Sequence, residues 1–391
     1  MRWDFLVLGS SGIQGVITAK TLLDKGYSVL LSDLYKEESL RLLAKYSPDR
    51  VSFRGLDVRN KKKLLSLIKS ARPKVLINCV EADYNLLVYQ ACLKAEINVI
   101  DLGSDIPMTE KQMQMHDEFV SIGRTAITGC GSTPGINNVM VEHASRDLDN
   151  IDTIEAGFAW DSNIKCFVPP FSIRSILEEL QRPAVYLEDG KWREVKHPLD
   201  NLVRYQFRSI GSQQCMLIGE HAEPHTFYER YKLKGIKNIR FYGSFPRHSL
   251  NTLKMLLELG LGNDERVSVS NKNDMHDVSP LDVLAQTLRR LPKPNGYKET
   301  EILWAIIEGK KGRKKVRTEM ECVVHTRDGW EEASCNIDTG ITAGIMAMMI
   351  ERGEIGLTGS FSPEQCIQPA VLFRRLARYG MKVYKDGRRI N

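Results

Sequence analysis

The segment Gly9-Ser10-Ser11-Gly12-Ile13-Gln14-Gly15 has the residue types and spacing to hold a phosphate. It follows an apolar run, Phe5–Leu8, and opens a helical pattern. Its G-x-x-G-x-x-G spacing is a variant of the dinucleotide fingerprint. Gly9 permits the tight turn out of a strand, Gly12 lets the backbone approach a pyrophosphate, and Gly15 lets the helix pack on the sheet. The helix N-terminus offers unpaired N–H groups and a positive dipole end to the phosphates. Asp33 closes the second apolar run, eighteen residues beyond Gly15. A carboxylate there accepts from both ribose hydroxyls and repels a 2′-phosphate, which favours NAD; Lys36, three residues on, leaves NADP open. Asp57 and Val58 follow the third run, where a loop covers an adenine ring or where Asp57 caps the next helix. Cys79 and Val80 close the fourth run beside the topological switch point, near the place of a nicotinamide ribose. Cys79 reads as a small buried hydrophobe rather than a redox group.

Two other constellations carry less. His221 and His225 mimic a metal-ligand spacing, but Pro224 spoils a helix between them and no third ligand is evident, so no metal is expected. Lys310-Lys311-Gly312-Arg313-Lys314-Lys315 is a charge run that suits either a polyanion or a solvated hairpin tip. It lacks interleaved aromatics, and no nucleic-acid partner is expected.

The elements that must position these residues follow from the order of the chain. Apolar runs at Phe5–Leu8, Ser28–Ser32, Val51–Phe53, Val75–Val80, Asn98–Leu102 and Thr125–Thr128 read as strands buried on both faces. Helical patterns lie between them at Gly15–Lys25, Glu37–Tyr46, Lys61–Ala71, Leu86–Ala95 and Glu110–Ile122. That alternation predicts an α/β fold with an N-terminal Rossmann-type, doubly wound parallel sheet over residues 1–130. From residue 131 to 340 the strand patterns lengthen: Thr153–Trp160, Val203–Ile210, Val316–His325 and Glu332–Ile337. Turn signals at Glu188–Lys191 and Arg327–Gly329 lie among them, which predicts an α+β domain on a mixed or antiparallel sheet. Helices Ile341–Arg352 and Pro363–Tyr379 fill a last segment, 341–391.

Composition narrows the class further. The 391 residues are 42% hydrophobic and 27% charged, which excludes a wholly disordered chain. The longest uncharged, mostly apolar stretch near the C-terminus, Ile341 to Ile350, is far too short to span a bilayer, and no membrane partner is expected. Asp4 precedes the first apolar run, so the N-terminus does not read as a signal peptide. Eight scattered cysteines without C-x-x-C spacing then point to reduced thiols and a cytoplasmic setting. A net charge of +6 is compatible with an anionic ligand.

Several stretches resemble the saccharopine dehydrogenase-like family, which includes saccharopine reductases, lysine 6-dehydrogenases and carboxynorspermidine dehydrogenases. They are Asn98–Asp105, the turn Gly129-Cys130-Gly131-Ser132-Thr133-Pro134-Gly135-Ile136-Asn137-Asn138, and Pro170–Ser172 with Leu177–Glu179 and Arg182–Ala184. Asp338–Ala343 and Gly359–Glu364 continue the likeness to the C-terminal end. The resemblance implies a Rossmann domain, a central α+β substrate domain and C-terminal helices that return to the Rossmann domain. It implies hydride transfer between NAD(P) and a C–N bond of an amino acid or amine, in a homodimer.

A small amino acid or amine as partner needs a cation for its carboxylate and an anion or carbonyls for its ammonium. Arg174, Arg240 and Arg247 are the candidate cations, since arginine captures carboxylates bidentately. Arg240-Phe241-Tyr242 and Arg247-His248 resemble one family segment, here interrupted by Gly243–Pro246. Asp101 is expected either to hold the substrate nitrogen or to brace its loop. The likeness makes His248 the candidate catalytic base, with Lys165 as a second. The loop after the fourth strand, Glu81-Ala82-Asp83-Tyr84-Asn85, departs from the family pattern. Glu81 and Tyr84 are substrate-binding candidates there, and Glu81 with Asp83 would select a cationic amine. The same departures leave open a dinucleotide-binding sensor or assembly protein without catalysis.

Overall fold

The computed structural model describes residues 2–169, 173–219, 221–271, 274–288, 290–292, 294–330 and 336–391. The first part of the chain runs β1 (Phe5–Leu8), α1 (Ile13–Leu23), β2 (Val29–Asp33), α2 (Glu37–Lys45), β3 (Val51–Gly55), α3 (Lys61–Ala71), β4 (Val75–Asn78), α4 (Asn85–Ala95), β5 (Asn98–Asp101), α5 (Ile106–Gln114), α6 (His116–Ser121) and β6 (Thr125–Ile127). The six strands are parallel, in the order β6-β5-β4-β1-β2-β3, and all but the edge strand β3 are largely buried. The order reverses between β1 and β4, which opens the ligand crevice at their carboxyl ends. The helical stretch expected over Glu110–Ile122 is two helices. The first starts earlier, at Ile106, because Asp105 accepts from the Met108 N–H at 2.9 Å and Pro107 suits a first turn.

The second part runs α7 (Ile136–Ser145), β7 (Asn150–Ser162), α8 (Ile173–Gln181), β8 (Ala184–Glu188), β9 (Lys191–Val195), β10 (Val203–Phe207), β11 (Gly211–Leu217), α9 (Glu223–Tyr231), β12 (Asn238–Ser244), α10 (Arg247–Glu258), β13 (Val267–Asn271), β14 (Asp274–Val278), α11 (Pro280–Leu288), β15 (Glu299–Lys311) and β16 (Lys314–His325). The chain ends in α12 (Ile337–Glu351), β17 (Gly359–Phe361), α13 (Pro363–Cys366), α14 (Pro369–Ala377), β18 (Lys382–Lys385) and β19 (Arg388–Arg389). A ten-stranded sheet carries the path β10-β11-β12-β7-β15-β16-β18-β19, with β8 and β9 at its side. Only β12 and β7 pair in parallel, so the sheet is mixed. Lys310–Lys315 is the tip of the β15–β16 hairpin. The expected strand Val203–Ile210 stops at Phe207, where the chain turns into β11. The expected strand Glu332–Ile337 falls largely on 331–335, outside the described residues, and Ile337 opens α12. The Pro170–Ser172 stretch also lies outside them. Pro369 divides the last expected helix, since it has no N–H to continue the ladder of α13.

The C-terminal segment serves both sheets. Strand β17 joins the parallel sheet beside β6, while β18 and β19 extend the mixed sheet. Helix α12 is apolar on all sides and buried, as its uncharged run requires. It lies along α1, and Thr18 Oγ1 donates to Gly340 O at 3.1 Å. A Cβ at Gly340 would sit 2.7 Å from Ile17 Cβ. That close approach brings the N-terminus of α12 beside the glycine loop, where Gln14 Nε2 donates to Asn336 O at 3.1 Å.

Candidate active site

The glycine loop and the end of β4 touch across the crevice. Gly9 has φ +74°, and a Cβ there would lie 2.6 Å from the Cys79 carbonyl carbon. A Cβ at Gly15 would lie 2.0 Å from Gly9 O. Protein packing alone therefore demands glycine at both places. Gly12 differs. Its φ is −73°, and its added Cβ would meet only Gly9 O, at 3.4 Å. No protein atom requires glycine at 12, so the space it leaves open suits a ligand. Gly12 is the N-cap of α1, whose first turn carries no acidic residue. Its N–H groups and dipole fit a pyrophosphate.

Asp33 is tied to that loop. Its Oδ2 accepts from the Ser11 N–H at 2.9 Å and its Oδ1 from the Tyr35 N–H at 3.1 Å. Ser10 Oγ and Ser11 Oγ each pair with Ser39 Oγ at 2.9 Å. Ile13, at the first position of α1, is exposed. Asp57 is exposed and holds Arg59 through both carboxylate oxygens, while Asn60 caps α3 by accepting from Lys63 N–H. Val58 packs beneath on the core. Val80 is half-buried, and burial pushes the Cys79 thiol up to about 12. That thiol stays protonated, as a packing residue would. Glu81 and Asp83 are exposed and Tyr84 is half-buried, all on the short turn that follows β4 at this edge.

Asp101 is placed differently from its expected catalytic role. It is fully buried, and its carboxylate accepts from Tyr89 Oη and Gln112 Nε2 at 2.6 Å and from the Gly103 and Gly129 N–H groups at 2.7 and 3.0 Å. Burial raises its pKa against the pull of those bonds. A carboxylate so filled has no lone pair left for a substrate nitrogen. It is a brace, and what it braces is the Gly129–Gly135 turn that crosses the crevice.

Two of the expected cations are also engaged. Arg174 is clamped by Asp282 at 2.6 Å and by Asp264 and Glu178 at 3.3 Å. Arg240 faces Glu188 at 2.8 Å and Glu155 at 3.8 Å. Both placements have one cause: carboxylates distant in sequence, Asp264 and Asp282 for Arg174 and Glu188 and Glu155 for Arg240, reach these arginines only once the chain is folded. Gly243–Pro246, which interrupts the family-like segment, is the end of β12 and the turn into α10. Arg247 and His248 open α10 and line a cavity of about 410 Å³ with Asp161, Lys165, Ser212, Gln213 and Asn251. That cavity is built from the second part of the chain. His248 Nε2 lies 3.0 Å from Cys166 O, and Lys165 Nζ donates to Asp161 Oδ1 at 2.6 Å.

Sequence reasoning missed three features. Ser132 Oγ and Thr339 Oγ1 lie 2.8 Å apart, which joins the crevice turn to α12. Asp338, fully buried, is hydrogen-bonded to Glu301 of β15. His221 is buried between Glu179 at 3.6 Å and Glu223 at 3.3 Å and stacks on Phe241. His225 instead faces Glu110 at 3.4 Å. The two histidines therefore serve separate carboxylates. The sequence signals near these features were the Asp338–Ala343 stretch, the turn that holds Ser132 and the His221–His225 spacing, none of which names these partners.

A glycine loop at the switch point of a parallel sheet, joined to a second, mixed sheet, is the build of a dinucleotide-binding protein of two sheets. Comparison with known proteins makes the class particular. Residues 5–127 match the saccharopine dehydrogenase NADP binding domain, and residues 131–381 match the saccharopine dehydrogenase C-terminal domain. The chain belongs to the saccharopine dehydrogenase family. It is 25% identical over 359 residues to a carboxynorspermidine synthase of Vibrio alginolyticus, covering 86% of this chain and 82% of that one. It is 22% identical over 394 residues to a carboxyaminopropylagmatine dehydrogenase of Synechocystis, covering 96% of both. Its fold matches apo saccharopine dehydrogenase (L-Glu forming) from Saccharomyces cerevisiae, with a TM-score of 0.76 at 15% identity over all of both chains. No helix among the described residues is long and apolar enough to cross a membrane.

Proposed function

We propose that this protein carries out hydride transfer at a C–N bond of an amine-bearing amino acid, of the carboxynorspermidine or carboxyaminopropylagmatine type. The observation that carries the reading is Gly12, a glycine that the crevice leaves open for a ligand at the switch point. The substrate class rests on the two relatives, whose likeness spans more than four-fifths of this chain. The backbone from Gly9 to Gly15 would hold the pyrophosphate, Asp33 the adenosine ribose, Asp57 and Val58 the adenine, and Cys79 and Val80 the nicotinamide ribose. When bound, the nicotinamide supplies the hydride acceptor or donor. The chain's own part is to orient the amine against it, shut out water and hold a proton. Asp33 favours NAD, because a 2′-phosphate beside a carboxylate is repelled. Exposed Glu81 and Asp83 at the mouth suit a cationic substrate.

The test mixes the protein with NAD or NADP and a panel of carboxynorspermidine, saccharopine and lysine, and follows absorbance of the reduced nicotinamide. Turnover on the carboxylated polyamine, with a lower KM for NAD, is expected. Dinucleotide binding without turnover on any amine would instead support a sensor or assembly protein.

A further inference from the structure

Of the three arginines with the chemistry to hold a carboxylate, the fold leaves one open. Arg174 and Arg240 are held by carboxylates of the chain itself. Arg247 makes no ion pair or hydrogen bond among the described residues, and it lines the cavity of about 410 Å³ at the start of α10. That volume lies within the range of small-molecule sites, roughly 300–1,000 Å³. Asn251, one turn on, shares the face of Arg247 and lines the same cavity. No side chain caps this twelve-residue helix, and its first turn holds no acidic residue. Its dipole therefore adds to the guanidinium in favouring an anion at this end.

The other wall carries the opposite sign. Asp161, near the end of β7, is half-buried and lines the cavity. Its Oδ1 accepts from Lys165 Nζ at 2.6 Å and from the Ser162 N–H at 2.8 Å. Its Oδ2 takes no hydrogen bond among the described residues. Lys165 Nζ also donates to Ser162 O at 2.7 Å, so two of its three protons are spent. His248 ties the walls together, with Nε2 3.0 Å from Cys166 O. A carbonyl only accepts, so the Nε2 proton of that ring is used in holding the segment after β7 against α10. Arg247 and Asp161 thus face one space with an open cation and an open carboxylate oxygen. Inorganic phosphate would meet Asp161 as a like charge, and a purely cationic amine would meet Arg247 as one. A ligand with both signs on neighbouring atoms satisfies both walls.

We propose that this cavity binds an α-amino-acid head group, with its carboxylate on Arg247 and its ammonium on Asp161 Oδ2. No covalent step is involved. Two sources supply that chemistry: the amino-acid end of the substrate of the proposed function, and a free amino acid. The assignment rests on the cavity and does not require turnover.

Calorimetric titration of wild type, Arg247→Gln and Asp161→Asn with carboxynorspermidine, lysine, norspermidine and inorganic phosphate tests this. Norspermidine is the same polyamine without the carboxylate. Each variant should bind the amino acid that wild type binds ~10-fold or more weakly. Arg247→Gln should hold norspermidine at least as tightly as wild type does, because only a cation is removed. NADH Kd within ~2-fold of wild type shows that each variant is folded. Where the substrate's own end fills the cavity, the KM for carboxynorspermidine rises by the same factor as its Kd. Where a free amino acid fills it, that KM stays and lysine binds alongside carboxynorspermidine. Amino-acid affinity that neither variant changes, phosphate bound as tightly as the amino acid, or a wild type that binds neither amino acid would each overturn the assignment. A wild type that turns over no amine yet binds an amino acid through Arg247 would overturn the proposed function alone.

Discussion

Replacing Gly12 and Gly15 in turn by alanine separates what the fold needs from what a ligand needs. At Gly15 the added Cβ lies 2.0 Å from Gly9 O and 2.8 Å from Ser10 Cα, both backbone atoms. Backbone so placed cannot yield without moving the turn, and the expected loss of stability is ~3 kcal/mol or more. At Gly12 the nearest atom is 3.4 Å away and φ is −73°, which alanine adopts freely. Loss of a favoured N-cap residue costs up to ~1 kcal/mol, or roughly 1–2 °C in a chain of this size. Binding reverses the ranking of effects at Gly12. A methyl there holds a phosphate away from the N–H groups of α1 and removes one or two charge-assisted hydrogen bonds. That is ~2–4 kcal/mol, or about 30- to 1,000-fold in Kd. Thermal melts give the first quantity, and titration of NADH or NADPH fluorescence gives the second. The reasoning is refuted if Gly12→Ala binds as wild type does, or if it melts as early as Gly15→Ala.

Two further outcomes follow from buried charge. Asp101→Asn should lower stability by about 3 kcal/mol, because its amide cannot accept from all of Tyr89, Gln112, Gly103 and Gly129; a variant with an unchanged Tm but no activity would return Asp101 to the reacting atoms. For His221, burial pulls the imidazole down but Glu223 and Glu179 prevail, leaving it at about 10. A folded pKa above the unfolded value of about 6.5 gives stability that is complete below pH ~6.5 and is lost as pH rises through ~10. Wild-type stability should therefore fall across that window by up to ~1.4 kcal/mol per pH unit, and His221→Gln should lack that slope; identical slopes in chemical denaturation would show that the ring is neutral in the fold.

The sequence alone determined the parallel sheet, the glycine loop that joins β1 to α1 and the hairpin at Lys310–Lys315. All three are local signals: continuous apolar runs, glycine spacing and turn chemistry act over a few residues. Hydrophobic pattern also placed β7 and most of β16, since a strand's period is visible in isolation. It did not place the short strand β17 or the contact of Glu301 with Asp338, which lie thirty-seven residues apart in the chain. Nor did it show that Arg174 is already neutralised by Asp264 and Asp282, or that Asp101 is ringed by donors from Tyr89, Gln112, Gly103, Gly129 and Thr128. The charge a side chain presents depends on which groups stand within a few ångströms, and distant segments supply those groups only when the chain closes. Residue type and spacing thus set the chemistry available, and tertiary packing decided which side chains remain able to use it.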